Sequence, residues 1–275
     1  MAIKKSLGFL MKNLLNILLV VIFVFPFAWM VVTSLKTLGQ TLQMPPGFIV
    51  KNPQWDNFVR AFEAIPFLHM LKNSLIVVTG TLLCQVVTVI PAAYAFARYD
   101  FKGRKILFGI TLVTMMIPAQ LIFLPVFLMF SKLGLINSYL SLILPSATSA
   151  FAIFMLRQTF MQVPKELVEA AKLDGASEGK IITRIMLPIA RPTLVTLGLI
   201  TFISSWNDYF WPFVLTTNDA VRTLPVGIAA LRTMEGGLNY HIIMAGNVLL
   251  IIPVLIVFVI AQRQIMDALS YTGIK

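Results

Sequence analysis

Long apolar runs alternate with short polar connections along most of this chain. A helix needs about 20 consecutive apolar residues to cross the roughly 30 Å hydrocarbon layer of a bilayer, and six runs approach or reach that length. They lie near 14–33, 74–95, 107–129, 139–156, 193–214 and 242–261. The pattern predicts an all-α integral membrane protein with six transmembrane helices, and residues 1–275 as a single transmembrane domain.

The composition excludes a water-soluble fold. Of the 275 residues, 58% are hydrophobic and only 12% are charged, whereas soluble domains usually carry about a quarter charged residues. The single cysteine, Cys84, lies inside an apolar run and offers no disulfide framework.

Basic residues indicate the orientation. The formal charge of +11 is spread between the apolar runs and is not gathered in one stripe, so nucleic acid is not expected as a partner. With the N-terminus inside, the inner segments hold 15 of the 22 lysines and arginines and the outer segments hold the other seven. Because inner loops are enriched in these residues, both termini are predicted to be cytoplasmic.

Ionisable residues are scarce within the predicted spans. Asp208 is the only acid there, and both histidines, His69 and His241, fall outside the predicted bounds. Ion-coupled transporters usually show several intramembrane charges, and a membrane-embedded enzyme needs a catalytic cluster. The chain also has no Walker A sequence, so it is not expected to be an ATPase or an enzyme itself. A self-contained secondary transporter stays open as an alternative.

The connection over residues 157–192 predicts a helical elbow. Pro164 can open a short helix, and Gly175 follows where a left-handed residue ends a helix at low cost. Ser177 can then cap a second helix, which Pro188 is expected to stop. Such an elbow can lie in a groove of a partner.

Small and acidic residues cluster around the predicted turn. Ala170, Ala171 and Ala176 suggest a smooth surface for close approach, while Glu169 and Asp174 add negative charge to a basic loop. These features favour an interaction surface over a plain connection.

These residues resemble the signature loop of permease subunits in binding-protein-dependent ABC importers. That loop reads EAA, a glycine four residues on, and then I-x-LP. The matching residues here are Glu169, Ala170, Ala171, Asp174, Gly175, Ala176, Ile185, Leu187 and Pro188. One departure is Ile182, where an aromatic residue is frequent in the family.

Further stretches resemble the carbohydrate-uptake permeases of the maltose type. They cover PQWDNFVRAF…PFLHMLKNSLIVV (53–78), AAYAFARYDFKGRK (92–105), SSWNDYFWPF (204–213) and the last residues, QRQIMDALSYTGIK. The resemblance implies the type I ABC importer transmembrane fold, with cytoplasmic coupling helices between the fourth and fifth spans.

The resemblance also implies partners. They are a second permease subunit in a heterodimer, two copies of a cytoplasmic ABC ATPase that binds ATP and Mg, and an extracytoplasmic solute-binding protein that delivers a sugar. The chain itself is expected to bind no cofactor and no metal, and to reside in a prokaryotic inner or plasma membrane. A permease for another solute, such as glycerol phosphate, is the alternative within this class.

Three further sets of residues receive roles through the resemblance. The external loop toward the binding protein comprises Met234, Glu235, Gly236, Gly237, Leu238, Asn239 and Tyr240. The tail toward the ATPase interface contains Gly273 and Lys275, and the possible substrate path contains Trp206, Asn207, Asp208 and Tyr209.

Overall fold

The computed structural model describes residues 2–234 and 239–271. Within these ranges the regular structure is entirely helical. The α-helices are α1 (Ala2–Ser34), α2 (Leu38–Thr41), α3 (Asp56–Glu63), α4 (Phe67–Arg98), α5 (Arg104–Thr114), α6 (Phe123–Lys132), α7 (Tyr139–Ile143), α8 (Ala150–Gln162), α9 (Lys165–Leu173), α10 (Glu178–Ile181), α11 (Leu187–Ile189), α12 (Arg191–Trp206), α13 (Phe210–Leu215), α14 (Leu224–Met234) and α15 (Tyr240–Tyr271). Short 3₁₀ turns occupy Ala119–Leu121 and Leu144–Ser146, and a π turn occupies Ile182–Met186.

Three described helices are long and apolar enough to cross a bilayer unbroken: Met11–Ser34, Phe67–Arg98 and Tyr240–Gln262. They correspond to the first, second and sixth predicted spans. Two bent helix pairs would raise the number to five if each pair crossed as one span. The all-helical membrane fold is confirmed, whereas the count of six spans stays a prediction.

The third predicted span, near 107–129, is broken in the described structure. Helix α5 ends at Thr114, and α6 starts only at Phe123. Pro118 lies between them with an extended backbone, φ −60° and ψ 135°. Proline lacks an N–H and disfavours helical geometry in the residue before it, and the extended backbone at Pro118 interrupts the helix here.

The fourth and fifth predicted spans are bent or interrupted. Tyr139–Ser146 and Ala150–Gln162 meet at 46°, and the hydroxyl of Ser149 accepts the N–H of Ala152 to cap the second piece. The fifth, near 193–214, is interrupted between α12, which ends at Trp206, and α13, which begins at Phe210. Just before this span, Glu178–Ile189 meets Arg191–Trp206 at 83°, so the end of the elbow does not continue the direction of α12.

Two details of the sequence analysis are wrong. Pro188 does not stop the second arm of the elbow, which runs from Glu178 to Ile189: it lies inside α11, which follows the π turn Ile182–Met186 directly. The histidines are also not outside the long helices: His69 lies in α4 and His241 in α15. Both errors come from helix ends that extend beyond the apolar runs.

The structure divides into two compact units. The first comprises residues 1–67 and 227–252. In it, the buried side-chain amide of Asn57 donates to the carbonyls of Ser34 and Lys36 at 2.8 and 2.9 Å. These bonds hold the end of α1 against α3.

The second unit comprises residues 68–226 and 253–275. Its main apolar core joins the last half of α4 to α8, the elbow and the start of α12. The buried members are Val89, Ala93, Tyr94, Ala152, Ile153, Leu156, Phe160, Val163, Val168, Ile181, Met186, Ala190 and Leu197. The elbow is therefore anchored in the core of this unit.

Candidate functional site

The first arm of the elbow is α9 (Lys165–Leu173), and it ends in a tightly hydrogen-bonded turn. The N–H of Gly175 donates to the carbonyl of Lys172 at 3.0 Å, and the N–H of Ala176 donates to that of Ala171 at 2.9 Å. Gly175 has φ +74°. This pair of bonds around a left-handed residue is the Schellman motif, so the prediction of a glycine-closed helix is confirmed.

The second arm begins at the predicted cap. The hydroxyl of Ser177 accepts the N–H of Lys180 at 3.4 Å. The helix then runs through α10, the π turn and α11 without a gap, which makes it longer than the sequence suggested. A π turn is rare and frequently lies at functional sites.

One face of the elbow is packed into its own chain. Val168, Ile181 and Met186 are buried, and Ala171 and Ala176 are partly buried against the same core. Ala171 and Ala176 thus pack against the elbow's own chain, and their part in an interaction surface stays a prediction.

The other face of the elbow is exposed. Its exposed residues include Glu169, Ala170, Asp174 and Gly175. Leu173 lies on the same face and is 89% exposed. Leu173 was missed by the sequence analysis, although its place two residues before Gly175, the predicted end of the helix, was a usable signal.

The I-x-LP residues lie on the second arm. Ile185 and Leu187 are partly buried, with Leu187 packed against the main core, and Pro188 is exposed. Ile185 and Leu187 therefore stabilise the second arm by packing, and they add little to the exposed face of the elbow.

A polar triad joins the two arms to α4. The hydroxyl of Tyr94 donates to Glu178 Oε2 at 2.6 Å, and Lys172 Nζ lies 2.8 Å from Glu178 Oε1. The hydrogen bonds from Lys172 and Tyr94 hold the pKa of Glu178 below its usual range, and the bond to Glu178 raises the pKa of Lys172. The triad is a direct link between the elbow and a long helix.

Arg98, at the end of α4, fixes the residues that lead into the elbow. Its Nη2 donates to the carbonyls of Phe160 and Val163, both at 2.6 Å. These carbonyls lie at the C-terminal end of α8, where the regular donors of the helix run out, although the carbonyl of Phe160 also accepts the N–H of Val163 at 3.4 Å. Arg98 therefore binds α4 to the entry of the elbow.

A cavity of about 300 Å³ lies in the second unit. We call it the hydroxyl-lined cavity. Its lining residues are Thr81, Gln85, Ala119, Gln120, Ser146, Ser149, Ile200, Thr201, Ser204, Ser205, Asp208, Phe210 and Trp211.

The proposed substrate-path residues do not form one surface. Asp208 lines the hydroxyl-lined cavity, but Trp206 is fully buried and Asn207 and Tyr209 are exposed. Helix α12 ends at Trp206, so the four consecutive residues point in different directions.

The remaining predicted residues lie at or beyond the limits of the description. Met234 ends α14, Asn239 precedes α15, and Tyr240 begins it. Glu235, Gly236, Gly237 and Leu238, together with Gly273 and Lys275, lie outside the described residues.

Sequence comparison places the chain among known transport proteins. It is 36% identical over 244 residues to the arabinooligosaccharides transport system permease protein AraQ of Halalkalibacterium halodurans, covering 88% of this chain and 86% of the relative. It is 34% identical over 264 residues to the trehalose/maltose transport system permease protein MalG of Thermococcus litoralis, covering 94% of each. It is 31% identical over 258 residues to the sn-glycerol-3-phosphate transport system permease protein UgpE of Yersinia pestis, covering 91% of this chain and 92% of the relative.

Structural comparison agrees with these sequence matches. A crystal structure of a bacterial ABC transporter involved in the import of the acidic polysaccharide alginate contains a chain with a TM-score of 0.79 and 26% identity. The match covers 94% of this chain and 96% of that chain.

The family model for binding-protein-dependent transport system inner membrane components matches residues 86–270. The match includes the end of α4, the elbow and the hydroxyl-bearing part of α12. The chain belongs to this family of permease subunits.

Proposed function

We propose that this chain is the membrane-spanning subunit of an ATP-driven importer and forms half of the path for a sugar or oligosaccharide. The observation that carries the proposal is the elbow, which has one face fixed in the core and an apolar tip, Leu173, turned outward. A fixed element with an exposed apolar tip is suited to transmit force from a partner.

The exposed tip of the elbow fits a groove on a cytoplasmic ABC ATPase. Burying a leucine side chain stabilises a contact by about 1.5–3 kcal/mol, and Leu173 has nearly all of its surface available. Apart from its two chain neighbours, no described residue has a heavy atom within 4 Å of where a side chain at Gly175 would begin, so the groove wall can approach the backbone there. Glu169, Ala170 and Asp174 flank this contact.

The ATPase supplies the energy, and this chain converts it into helix movement. Two ATPase copies would bind ATP and Mg, one beneath each permease subunit. When the ATPases close, the elbow moves as a rigid body. The triad of Tyr94, Glu178 and Lys172, together with Arg98, passes that movement to α4 and α8.

The other half of the path comes from a second, different permease subunit in the same inner or plasma membrane of a prokaryotic cell. Both termini of this chain face the cytoplasm, because that orientation places 15 of its 22 basic residues on the inner side. The elbow then lies on the same side as the ATPases, which is where the proposal requires it.

A sugar is favoured over glycerol phosphate as the solute. The two relatives with the higher identities are permeases for arabinooligosaccharides and for trehalose/maltose, whereas the glycerol-3-phosphate relative is less similar. The hydroxyl-lined cavity also contains no lysine, arginine or histidine among its lining residues, so it lacks the cationic side chains that form the strongest hydrogen bonds to phosphate.

Two contacts with partners rest on the resemblance alone. The loop from Met234 to Tyr240 would reach the external solute-binding protein, and the tail with Gly273 and Lys275 would approach the ATPase interface. Deleting residues 273–275 should lower transport-coupled ATPase activity if the tail has this role.

A partner census tests the proposed function. The chain would carry an N-terminal tag, be extracted in mild detergent, and be analysed for co-purifying proteins by mass spectrometry. An ATPase and a second permease are expected. A well-folded chain that purifies without an ATPase in several detergents would refute the proposal.

Matched glycine variants locate the ATPase contact. Gly175→Arg should abolish solute-stimulated ATPase activity, because it adds both backbone strain of about 1–2 kcal/mol and a bulky group at the contact. Gly179→Arg is the control, since Gly179 lies four residues on, has no positive φ and is also open. Gly175→Asn separates the causes, because asparagine tolerates the left-handed region but still adds a side chain. Wild-type coupling in Gly175→Arg would exclude this turn from the contact.

A further inference from the structure

The hydroxyl-lined cavity is unusually polar for this chain. Nine of its 13 lining residues carry a hydroxyl, an amide or a carboxylate, while 58% of the whole chain is hydrophobic. Polar groups at membrane depth are costly and mark the paths of polar solutes. The cavity also borders the break between α5 and α6 through Ala119 and Gln120, where the backbone departs from the helix.

One wall of the cavity is fixed by hydrogen bonds. Gln85 Nε2 donates to the carbonyl of Ser146 at 2.9 Å, and the hydroxyl of Thr201 donates to Gln85 Oε1 at 2.8 Å. Both ends of this amide are therefore engaged within the protein, and it holds α4, α12 and the turn before α8 at a set spacing.

An unsatisfied group lies in the same wall. Thr81 is 1% exposed, and its hydroxyl has no hydrogen-bond partner among the residues that the structure describes. A buried hydroxyl without a partner is unfavourable, so a polar occupant of the cavity would relieve that cost. Thr81 lines the cavity, but its hydroxyl oxygen is itself buried, so it can donate to or accept from an occupant only after its side chain rotates.

The charge of the cavity selects the kind of occupant. Asp208 is the only ionisable lining residue, and its Oδ1 accepts the backbone N–H of Trp211 at 3.3 Å. The carboxylate has further acceptor positions, which suit the paired hydroxyl groups of a carbohydrate. An anionic solute would meet this carboxylate with no cation nearby to compensate, which is unfavourable.

We infer that the hydroxyl-lined cavity binds one unit of a neutral, polyhydroxylated solute and that Asp208 excludes anionic solutes of similar size. The volume of about 300 Å³ lies at the lower end of the range for small-molecule pockets. Trp211 and Phe210 supply apolar ring surface beside the hydrogen-bonding groups. The inference rests on the proposed function and adds a binding site in this subunit together with its charge preference.

Binding to the full-length chain in lipid nanodiscs tests this site. The probes are maltotriose as the neutral solute and triguluronate as an anionic trisaccharide of the same length, with binding followed by saturation-transfer difference NMR. The wild-type chain should bind maltotriose at least tenfold more tightly than triguluronate. Asp208→Asn should weaken maltotriose at least tenfold and reduce the difference between the two probes.

Two further variants keep the test decisive. Thr81→Val preserves shape and removes the unsatisfied hydroxyl, so the chain should stay folded while its affinity for maltotriose falls about threefold or more. Asp100→Asn removes a carboxylate that is 96% exposed and should change neither probe. Equal affinities for the two probes, no binding of maltotriose, or an unchanged Asp208→Asn variant would each overturn the site.

The partner census separates this failure from failure of the proposed function. A chain that co-purifies with an ATPase and a second permease but does not bind maltotriose refutes only the site. A chain that lacks those partners refutes the importer proposal, whatever the cavity binds.

Discussion

Helix α4 is fastened in different ways at its two ends. At its start, neutral side chains hold the backbone of the loop 220–224: Asn73 donates to the carbonyls of Ala220 and Arg222, and the hydroxyl of Ser74 accepts the N–H of Leu224. At its end, Arg98 holds the carbonyls of Phe160 and Val163, and Tyr94 bonds to the charged pair of Glu178 and Lys172.

The two fastenings respond differently to their surroundings. The bonds of Asn73 and Ser74 join uncharged groups and form a fixed anchor at the start of α4. An exposed histidine, His69, adds a contact of 2.9 Å between its Nε2 and the carbonyl oxygen of Ala220. Lys172 and Glu178 have side chains that are 47% and 41% exposed, and exposed ion pairs are weak and screened by salt. The end of α4 is therefore an adjustable joint beside the elbow, which is what a moving element needs.

Breaking the anchor should have the largest effect on stability. Asn73 is fully buried and also accepts the hydroxyl of Tyr139 at 2.7 Å. Asn73→Ala removes three hydrogen bonds and leaves buried polar groups without partners, so we expect a loss of about 3 kcal/mol, measured by thermal unfolding in detergent. The control is Asn218→Ala, an exposed asparagine that accepts the N–H of Ala220. Equal losses of stability in both variants would show that the bonds of Asn73 stabilise the fold no more than a single exposed hydrogen bond does.

Weakening Arg98 should have an intermediate effect. Arg98→Met keeps an unbranched apolar side chain but removes the donors to two carbonyls, and we expect a loss of about 2 kcal/mol together with reduced ATPase coupling. Arg104→Met is the matched control, since Arg104 donates to the single carbonyl of Tyr99 at an exposed site. Unfolding midpoints and solute-stimulated ATPase rates of both variants give the comparison. If coupling were unchanged in Arg98→Met, α4 would not be joined to the elbow through this residue.

The contacts of Glu178 with Lys172 and Tyr94 should contribute least to the stability of the chain, but their contribution should depend on pH. Because the pKa of Glu178 is lowered in the folded chain, its contribution is present above the usual carboxyl pKa and is lost as the pH falls through the lowered value. Wild type and Glu178→Gln should therefore differ slightly at neutral pH and converge under acidic conditions. Glu166→Gln, at an exposed position on the first arm, is the matched control for the same chemical change outside the triad. A gap between wild type and Glu178→Gln that does not close with acid would contradict the charged joint.

Local signals made much of the elbow predictable. The glycine turn and the Ser177 cap depend on backbone preferences and on bonds within three to five residues, so the sequence around them was sufficient. The bond from Tyr94 to Glu178 joins residues 84 positions apart, and no local preference predicts such a pair. The exposure of Leu173 likewise depends on which face of the arm packs against the core.

The spans were less predictable than the elbow. Apolar content identified each segment, but hydropathy does not register a proline break inside an apolar run, which is why 107–129 was taken as one helix. Asp208 was recognised as a lone acid, whereas its cavity is assembled from four separate stretches of the chain.

The break between α5 and α6 bears on how the protein is made. These helices have 11 and 10 residues, which gives each a length of about 15 Å, roughly half the hydrocarbon thickness. Lipid does not tolerate the irregular backbone that joins them. The opposite wall of the adjoining cavity comes from residues 200–211, which leave the ribosome some 80 residues after this break. Residues 200–211 cover only part of this break, since Met116 is 81% exposed and Leu121 is 74% exposed. If the segment lies at membrane depth, its irregular backbone therefore needs further cover from outside this chain, so its insertion depends on assembly as well as on its own helices.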